Sequence, residues 1–413
     1  MSYNILTELE MKKKKIKVFP IIIFILALAV LGLIIFLRLG CEPKAPDAKP
    51  TPTPTPVVEK EPQPEYFTIS LVGDNTIANA NGSSRFSDTV GSDMSYPYAN
   101  TKEYFENDDL SIANLECVLS DQRLYSDSLF SFLAPTENTQ MLKKGSIEFV
   151  TTANNHTRDF GQTGLDDTVA ALKKAGIAYG LDNETSIYTT QSGLCVGIYC
   201  ANGSSTNTGR ISAAISEMRE NGAEFVICAM HWGDEGTYHP TDYQQSLAHA
   251  AIDAGADLVY GSHPHVLQPV EEYGDGLILY SLGNWCFGGN SWPKDLDTVI
   301  AQVTVKRDLD GSISIDGYKL IPCSMSSADD GSNNYKPTPY AEGSEQYSRV
   351  ISKLDGSFTG PDLVVDYGQF TGNGSSHSSS SATSSSTTTT DTNTDTGGDN
   401  TGETDTDTEI TDG

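Results

Sequence analysis

With 413 residues and a formal net charge of −29, the chain is long enough for one large α/β domain and too acidic for a nucleic-acid partner, which would need clustered Lys and Arg. Part of that charge sits in a tail, from Asp391 to Asp412, that carries no Lys or Arg, but the rest of the chain is acidic as well. An anionic polymer would therefore need local Arg/Lys contacts or bridging cations, because the chain offers no general attraction.

Lys12 to Lys15 and Lys17 precede an apolar run, Val18 to Leu37. Its roughly 20 residues match a helix crossing a ~30 Å hydrocarbon core. Pro20 is tolerable in the first turn. The basic segment 1–17 is expected to stay cytoplasmic, which makes this a single-pass cell-membrane protein with everything after Arg38 extracellular and the lipid bilayer as a partner. A cleaved signal peptide is the competing reading. Against it, the run exceeds the usual ~7–15-residue signal core and no small-residue cleavage motif follows. Leu39-Gly40-Cys41 looks like the end of a lipobox, although Arg38 stands where an apolar residue is expected.

Residues 42–65 are Pro-rich and favour an extended linker at ~3.1 Å per residue, a reach of up to ~70 Å. Residues 66–372 have mixed, globular composition, and residues 373–413 are a Ser/Thr/Asp-rich tail expected to be disordered for want of apolar residues to bury. Within the globular part, strand-like runs fall at Tyr66–Val72, Leu110–Ala113, Ile147–Thr151, Leu194–Cys200, Phe225–Met230, Leu258–Tyr260, Leu277–Ser281, Val299–Val305 and Ile313–Leu320. Thr163–Ala175 reads as a helix with Leu165, Val169 and Leu172 on one face, stopped by Gly176. Thr241–Ala254 reads as another, capped by Thr241 and stopped by Gly255. Such alternation implies α/β layers. Cys195 and Cys200 lie an odd number apart on one strand and so face opposite sides. The exported cysteines read as small buried residues, and no CxxC pair suggests a zinc–cysteine site.

Five segments share one grammar, a strand ending in polar residues: Gly73-Asp74, Asn114-Leu115-Glu116, Asn154-Asn155-His156, His231-Trp232-Gly233 and His263-Pro264-His265. In α/β sheets the carboxyl ends of strands converge on the ligand crevice. Imidazole, carboxylate and amide oxygen suit divalent Mn, Zn, Fe or Mg, and a pair of such ions bridged by a carboxylate can drive hydrolysis. Singly, each residue has a plainer explanation: a turn at Asp74, a surface carboxylate at Glu116, a core histidine at His231. Of seven histidines, four fall in these segments; His239, His249 and His377 read as loop, helix-surface and tail residues.

The ordered set "LVGDNTIAN", "ANLECVLSD", "TTANNHTRDFG", "MHWGDE", "GSHPHVLQPV" and "LILYSLGNWCF" resembles the CapA-type poly-γ-glutamate capsule-synthesis family, itself similar to calcineurin-like metallophosphoesterases. The resemblance spans Phe67 to Gly289 and implies a four-layer α/β/β/α metallophosphoesterase-like sandwich for domain 66–372. It also implies roles. Asp74 and His265 match ligands of a first metal, Glu116 a bridging carboxylate, Asn155 an amide ligand, and His231 and His263 ligands of a second metal. His156 matches the histidine that polarises substrate or protonates the leaving group. The family pattern places a histidine where this chain has Thr76, which puts the first metal and ordinary phosphatase activity in doubt, so one ion or two is left open.

Arg123 and Arg158, next to the motifs, read either as substrate contacts or as surface salt-bridge partners, and Asn284 in "SLGN" as part of the site floor. Trp232, Trp285 and Trp292 could line a polymer groove or fill the core, with core favoured for Trp285. Two functions follow. One is a tethered metal-dependent hydrolase or transferase acting on an anionic polymer. The other is a non-catalytic metal- and polymer-binding module serving a membrane polyglutamate synthase or export complex.

Overall fold

The computed structural model describes residues 62–364. The expected cytoplasmic segment, membrane helix, most of the linker and the tail lie outside the described residues. Among those described, no helix is long and apolar enough to cross a membrane.

In chain order the strands are β1 (Glu65–Thr76), β2 (Asn79–Ala80), β3 (Leu110–Leu115), β4 (Val118–Leu119), β5 (Phe132–Ala134), β6 (Phe149–Thr151), β7 (Ala178–Gly180), β8 (Glu184–Thr189), β9 (Cys195–Asn202), β10 (Phe225–His231), β11 (Leu258–Ser262), β12 (Leu267–Tyr273), β13 (Gly276–Leu282), β14 (Asn284–Phe287), β15 (Asp297–Arg307), β16 (Ile313–Ser324) and β17 (Thr338–Pro339). They form a large sheet in the order β17-β16-β15-β1-β3-β6-β7 with β14 also paired to β1, a six-stranded sheet β12-β13-β11-β10-β9-β8, and a small sheet β2-β5-β4. The longer helices are α1 (Gly161–Ala175), α2 (Thr208–Glu220), α3 (Asp242–Asp253) and α4 (Glu345–Leu354).

Side-chain alternation explains how the layers stack. Along β10, Phe225, Ile227 and Ala229 enter the core between the two main sheets, and Val226, Cys228 and Met230 face α2 and α3 on the other side. Along β1, Phe67, Ile69 and Leu71 join the inter-sheet core, and Val72 turns to the outer core that includes Leu172 of α1. Strands buried on both faces read as continuous apolar runs, each large side chain stabilising the fold by about 1.5–3 kcal/mol. The result is a mixed α/β sandwich with helices on both outer faces.

All nine expected strands are present, several of them longer than expected. β1 runs on through Asp74 to Thr76, because the polar residues at its end are buried in a cluster. Both expected helices are present too. α1 ends at Gly176 in the left-handed region (φ 74°). Its buried face is Leu165, Thr168 and Leu172, with Val169 only half-buried, because the Thr168 hydroxyl accepts the Leu119 N–H. α3 begins with a capping box between Thr241 and Gln244, worth about 1 kcal/mol. The strands β2, β4, β5, β7, β8, β12, β14 and β17 and the helices α2 and α4 had no expected counterpart. The six described cysteines are all free, as expected, and all but Cys195 are buried.

Candidate metal centre

Strand register assembles the site. Asp74 on β1 pairs with Asn114 on β3 and with Asn284 on β14, so these three share one rung. His231, the last residue of β10, pairs with Ser262 on β11 and with Asn202 on β9. The two sheets come close beside this point, where Tyr260 OH donates to Val72 O. Gly73 makes the close approach of β1 to the β13–β14 turn feasible: a Cβ there would lie 1.8 Å from Gly283 O, and Asp74 N–H donates to that same oxygen at 2.9 Å.

Asp74 is fully buried and held on both oxygens. Asn114 Nδ2 donates to Oδ1 at 2.8 Å and His263 N–H to Oδ2 at 3.1 Å. Asn154 in turn fixes Asn114, donating from Nδ2 to its Oδ1 (3.0 Å) and to Leu115 O (2.9 Å). His231 Nδ1 lies 3.0 Å from Ser262 Oγ, and its Nε2 lies 2.7 Å from Asn155 Oδ1. Asn114 Nδ2 also lies 3.2 Å from Nδ1, and a cation at Nε2 would require the ring proton on Nδ1, donated to Ser262. His265 Nδ1 donates to Asn284 Oδ1 at 2.9 Å and sits 3.3 Å from Asp74 Oδ2, which turns Nε2 inward. Asn284 is therefore a partner of a candidate ligand.

Glu116 is the centre of the arrangement. Its Oε2 receives only a 3.4 Å contact from Thr76 Oγ1, and its buried Oε1 has no hydrogen-bond partner. That oxygen lies 3.6 Å from His231 Nε2 and 3.9 Å from His265 Nε2. These gaps are too long for hydrogen bonds. They fit donors that share an ion at about 2.0–2.2 Å each, which stand roughly 3–4 Å apart. Ligand atoms of Glu116, His231 and His263 lie within 4.8 Å of one another, and so do those of Asp74, Glu116 and His265 and those of Glu235, His263 and His265. The first two groups share Glu116, as a bridging carboxylate would. The residues fit one or two divalent cations of the Mn, Zn, Fe or Mg kind.

The electrostatics agree. Burial, with the Asp74 charge next, pushes Glu116 well above the usual carboxylate range. Burial, followed by His263 and His265, holds His231 well below the ordinary histidine value. Burial also works against a charged His265, but Glu116 and Asp74 outweigh it and raise the group to about 10. Protons held by such a cluster are the ones a cation displaces.

Beside the cluster, His156 Nδ1 sits 2.9 Å from Asp159 Oδ2, which also accepts Phe132 N–H at 2.9 Å. The imidazole packs edge-on against Phe132 with 4.5 Å between ring centres. A cleft of about 520 Å³ opens from Asn155, His231 and His263 along Asn202, Ser204 and Tyr243; its lining includes Asp234 but no Arg or Lys. Arg123 is exposed, and Arg158 is exposed with Nη1 donating to Gln162 Oε1 at 2.5 Å. Neither belongs to any of the three ligand groups. Trp285 and Trp232 are buried, and Trp292 is exposed.

The structure brings Asp74, Glu116, Asn155, His231, His263 and His265 together and sets His156 against Asp159 and Phe132; the motifs read from the sequence did not single out Asp159 or Glu235. Both sit within four residues of a motif histidine, in "HTRD" and "HWGDE". An acid at i+3 or i+4 beyond a histidine was the signal available.

Residues 68–289 match the family described as bacterial capsule synthesis protein PGA_cap. The chain is similar to the capsule biosynthesis protein CapA of Bacillus anthracis, 29% identical over 266 residues, which are 58% of this chain and 64% (just under two thirds) of that protein. It is also similar to the PGA biosynthesis protein CapA of Bacillus subtilis (strain 168), 30% identical over 275 residues, or 61% of this chain and 71% of that protein. Among solved structures, Haemophilus influenzae NAD nucleotidase is a distant likeness at 12% identity and TM-score 0.39, covering 71% of this chain and 63% of that one.

Proposed function

The chain belongs to the bacterial capsule synthesis protein PGA_cap family, and from that premise we propose that it is a membrane-tethered, metal-dependent hydrolase or transferase acting on an anionic envelope polymer such as poly-γ-glutamate. One observation carries the reading: Glu116 Oε1, buried without a hydrogen-bond partner between the Nε2 atoms of His231 and His265. When bound, the cation supplies Lewis-acid polarisation of a carbonyl or phosphoryl oxygen. Asp74, Glu116, Asn155, His231, His263 and His265 would hold it. Asp159 fixes the His156 tautomer, so that Nε2 exchanges a proton with the reacting or leaving group. Arg123 and Arg158, both exposed, remain available to polymer carboxylates arriving from outside.

The reading is tested by assaying the full chain against γ-glutamyl polymer and phosphodiesters with added Mn²⁺ or Zn²⁺. Turnover should fall about 10²–10⁴-fold in His156→Ala while bound metal stays unchanged. Unaltered turnover in that variant would remove His156 from the mechanism.

A second reading, a non-catalytic metal- and polymer-binding module for a membrane synthase, is favoured by Thr76 standing where the family pattern has a histidine. It expects polymer binding that survives His156→Ala and no turnover in the parent. Tethering through residues 18–37, with the domain outside, predicts that external protease removes the domain from intact cells and leaves the basic N-terminus protected.

A further inference from the structure

The third ligand group contains a residue outside the set of ligands that the resemblance implies. We propose that Glu235 is a metal ligand, adding a carboxylate beside His263 and His265 and so providing the donor that position 76 lacks. The inference rests on the metal-centre reading above and deepens it.

Glu235 lies in the loop that follows β10, four residues after His231. Gly233 (φ 86°) and Gly236 (φ 79°) both take left-handed backbone conformations, which an L side chain rarely adopts. Between these two turns Asp234 is exposed and Glu235 is half-buried. A carboxylate oxygen of Glu235 and ring nitrogens of His263 and His265 all lie within 4.8 Å of one another.

Two features of the histidine loop point to a cation there. His263 Nδ1 is a buried ring nitrogen without a hydrogen-bond partner. His263 (φ 98°) and His265 (φ 57°) both hold positive φ, a strain that persists where the surroundings over-determine it and that clusters at ligand clamps. Thr76 Oγ1, at the position where the family pattern has a histidine, is turned to Glu116.

The loop is also held in register with the histidines. Gly236 N–H donates to Pro264 O at 2.8 Å, the residue between His263 and His265, and Leu363 N–H donates to Gly236 O at 2.9 Å. Asp362 Oδ1 accepts Tyr238 N–H at 2.9 Å, and Phe358 packs on Tyr238 with ring centres 4.7 Å apart. The segment after α4 thus braces the loop from outside, which a chance surface acid would not need.

The test is a Mn²⁺ titration of the chelator-stripped full chain, with free Mn²⁺ counted by electron paramagnetic resonance, on the parent, Glu235→Gln and Asp234→Asn. Glu235→Gln should keep the metal-free melting temperature and bind Mn²⁺ at least ~10-fold more weakly, since even partners outside the ligand shell change affinity by ~10–100-fold. Asp234→Asn, a surface change with the same loss of charge, should stay within about two-fold of the parent. Parent-like binding by Glu235→Gln overturns the inference and leaves the metal centre standing. Equal weakening in both variants also overturns it, because loop charge and not ligation would then be responsible. A parent that binds no Mn²⁺ takes down the metal centre and this inference together.

Discussion

Two hollows of similar size lie in this domain, and they differ in how the polar groups in and beside them are satisfied. The first, about 520 Å³, opens on Asn155, His231 and His263. The second, about 450 Å³, gathers Glu106, Asp108, Asp109 and Glu148 with Tyr188. In the second, the half-buried acids are already engaged. Asp109 Oδ2 accepts Thr68 N–H at 2.7 Å, Glu148 Oε2 accepts Ser111 N–H at 2.9 Å, and Asp108 Oδ2 accepts the Ser111 hydroxyl at 2.7 Å. At the first, His263 Nδ1, and beside it Glu116 Oε1, are buried with no hydrogen-bond partner. Acid content alone would favour the second hollow, which is lined by four acids against one, Asp234, in the first. What separates them is whether the protein itself satisfies its donors and acceptors, because a buried polar atom left unmade costs about 1–3 kcal/mol unless something else fills the place.

The largest effect expected on that contrast is at a third place, where buried charges are fully paired. Lys353 Nζ lies 2.6 Å from Asp295 Oδ2 and 2.7 Å from Asp297 Oδ2, while Arg349 grips Asp297 through Nε and Nη2, both at 2.7 Å. Lys353→Ala should cost about 3–5 kcal/mol in urea unfolding, because it strands buried carboxylates. A loss under about 1 kcal/mol would mean that pairing matters less here than the contrast requires.

Next comes the cluster itself. Glu116→Gln should weaken Mn²⁺ binding by ~100-fold or more, whereas Glu148→Gln in the other hollow leaves it unchanged. Equal effects at the two sites would erase the distinction.

A smaller effect concerns pH. Burial pushes Glu148 up to about 7 and Asp108 to about 6. A carboxyl raised in the folded state stabilises most below its unfolded value, and that contribution is lost as pH rises through the folded value. These two acids therefore favour a higher melting temperature near about pH 5 than near about pH 8, and Glu148→Gln should flatten the slope. An identical slope in the variant would show that this hollow is not the titrating element.

The smallest effect tests the brace. Asp362→Ala, far from any ligand atom, should weaken Mn²⁺ binding only a few-fold, on the order of 1 kcal/mol, by loosening the loop at Tyr238. No change at all would uncouple the segment after α4 from the cation site.

Much of this was legible in the sequence because apolar periodicity and motif order are local signals. β10 reads as an uninterrupted apolar run ending in His231, and the structure places it buried on both faces. The polar end of β1 misled for the same reason: Asp74, Asn75 and Thr76 look like a turn until Asn114 and Asn284 are seen beside Asp74 on neighbouring strands. Glu235 was harder to see: its i+4 spacing from His231 was a signal, but the turn made by the two left-handed glycines on either side of it is not encoded in hydropathy. Arg123 and Arg158 lie next to the motifs along the chain, and in the fold both are exposed, with Arg158 reaching Gln162.

The contact between Gly73 and Gly283 has a consequence for which ions the cluster can accept. Main chain rests directly on main chain there, with no side chain in between to yield, so the rung carrying Asp74 and Asn284 is stiff. A stiff cradle sorts ions by radius. Small cations that bind oxygen and nitrogen near 2.0–2.2 Å would fit without moving a strand, whereas calcium, at about 2.3–2.6 Å and with more ligands to satisfy, would have to pry the backbones apart.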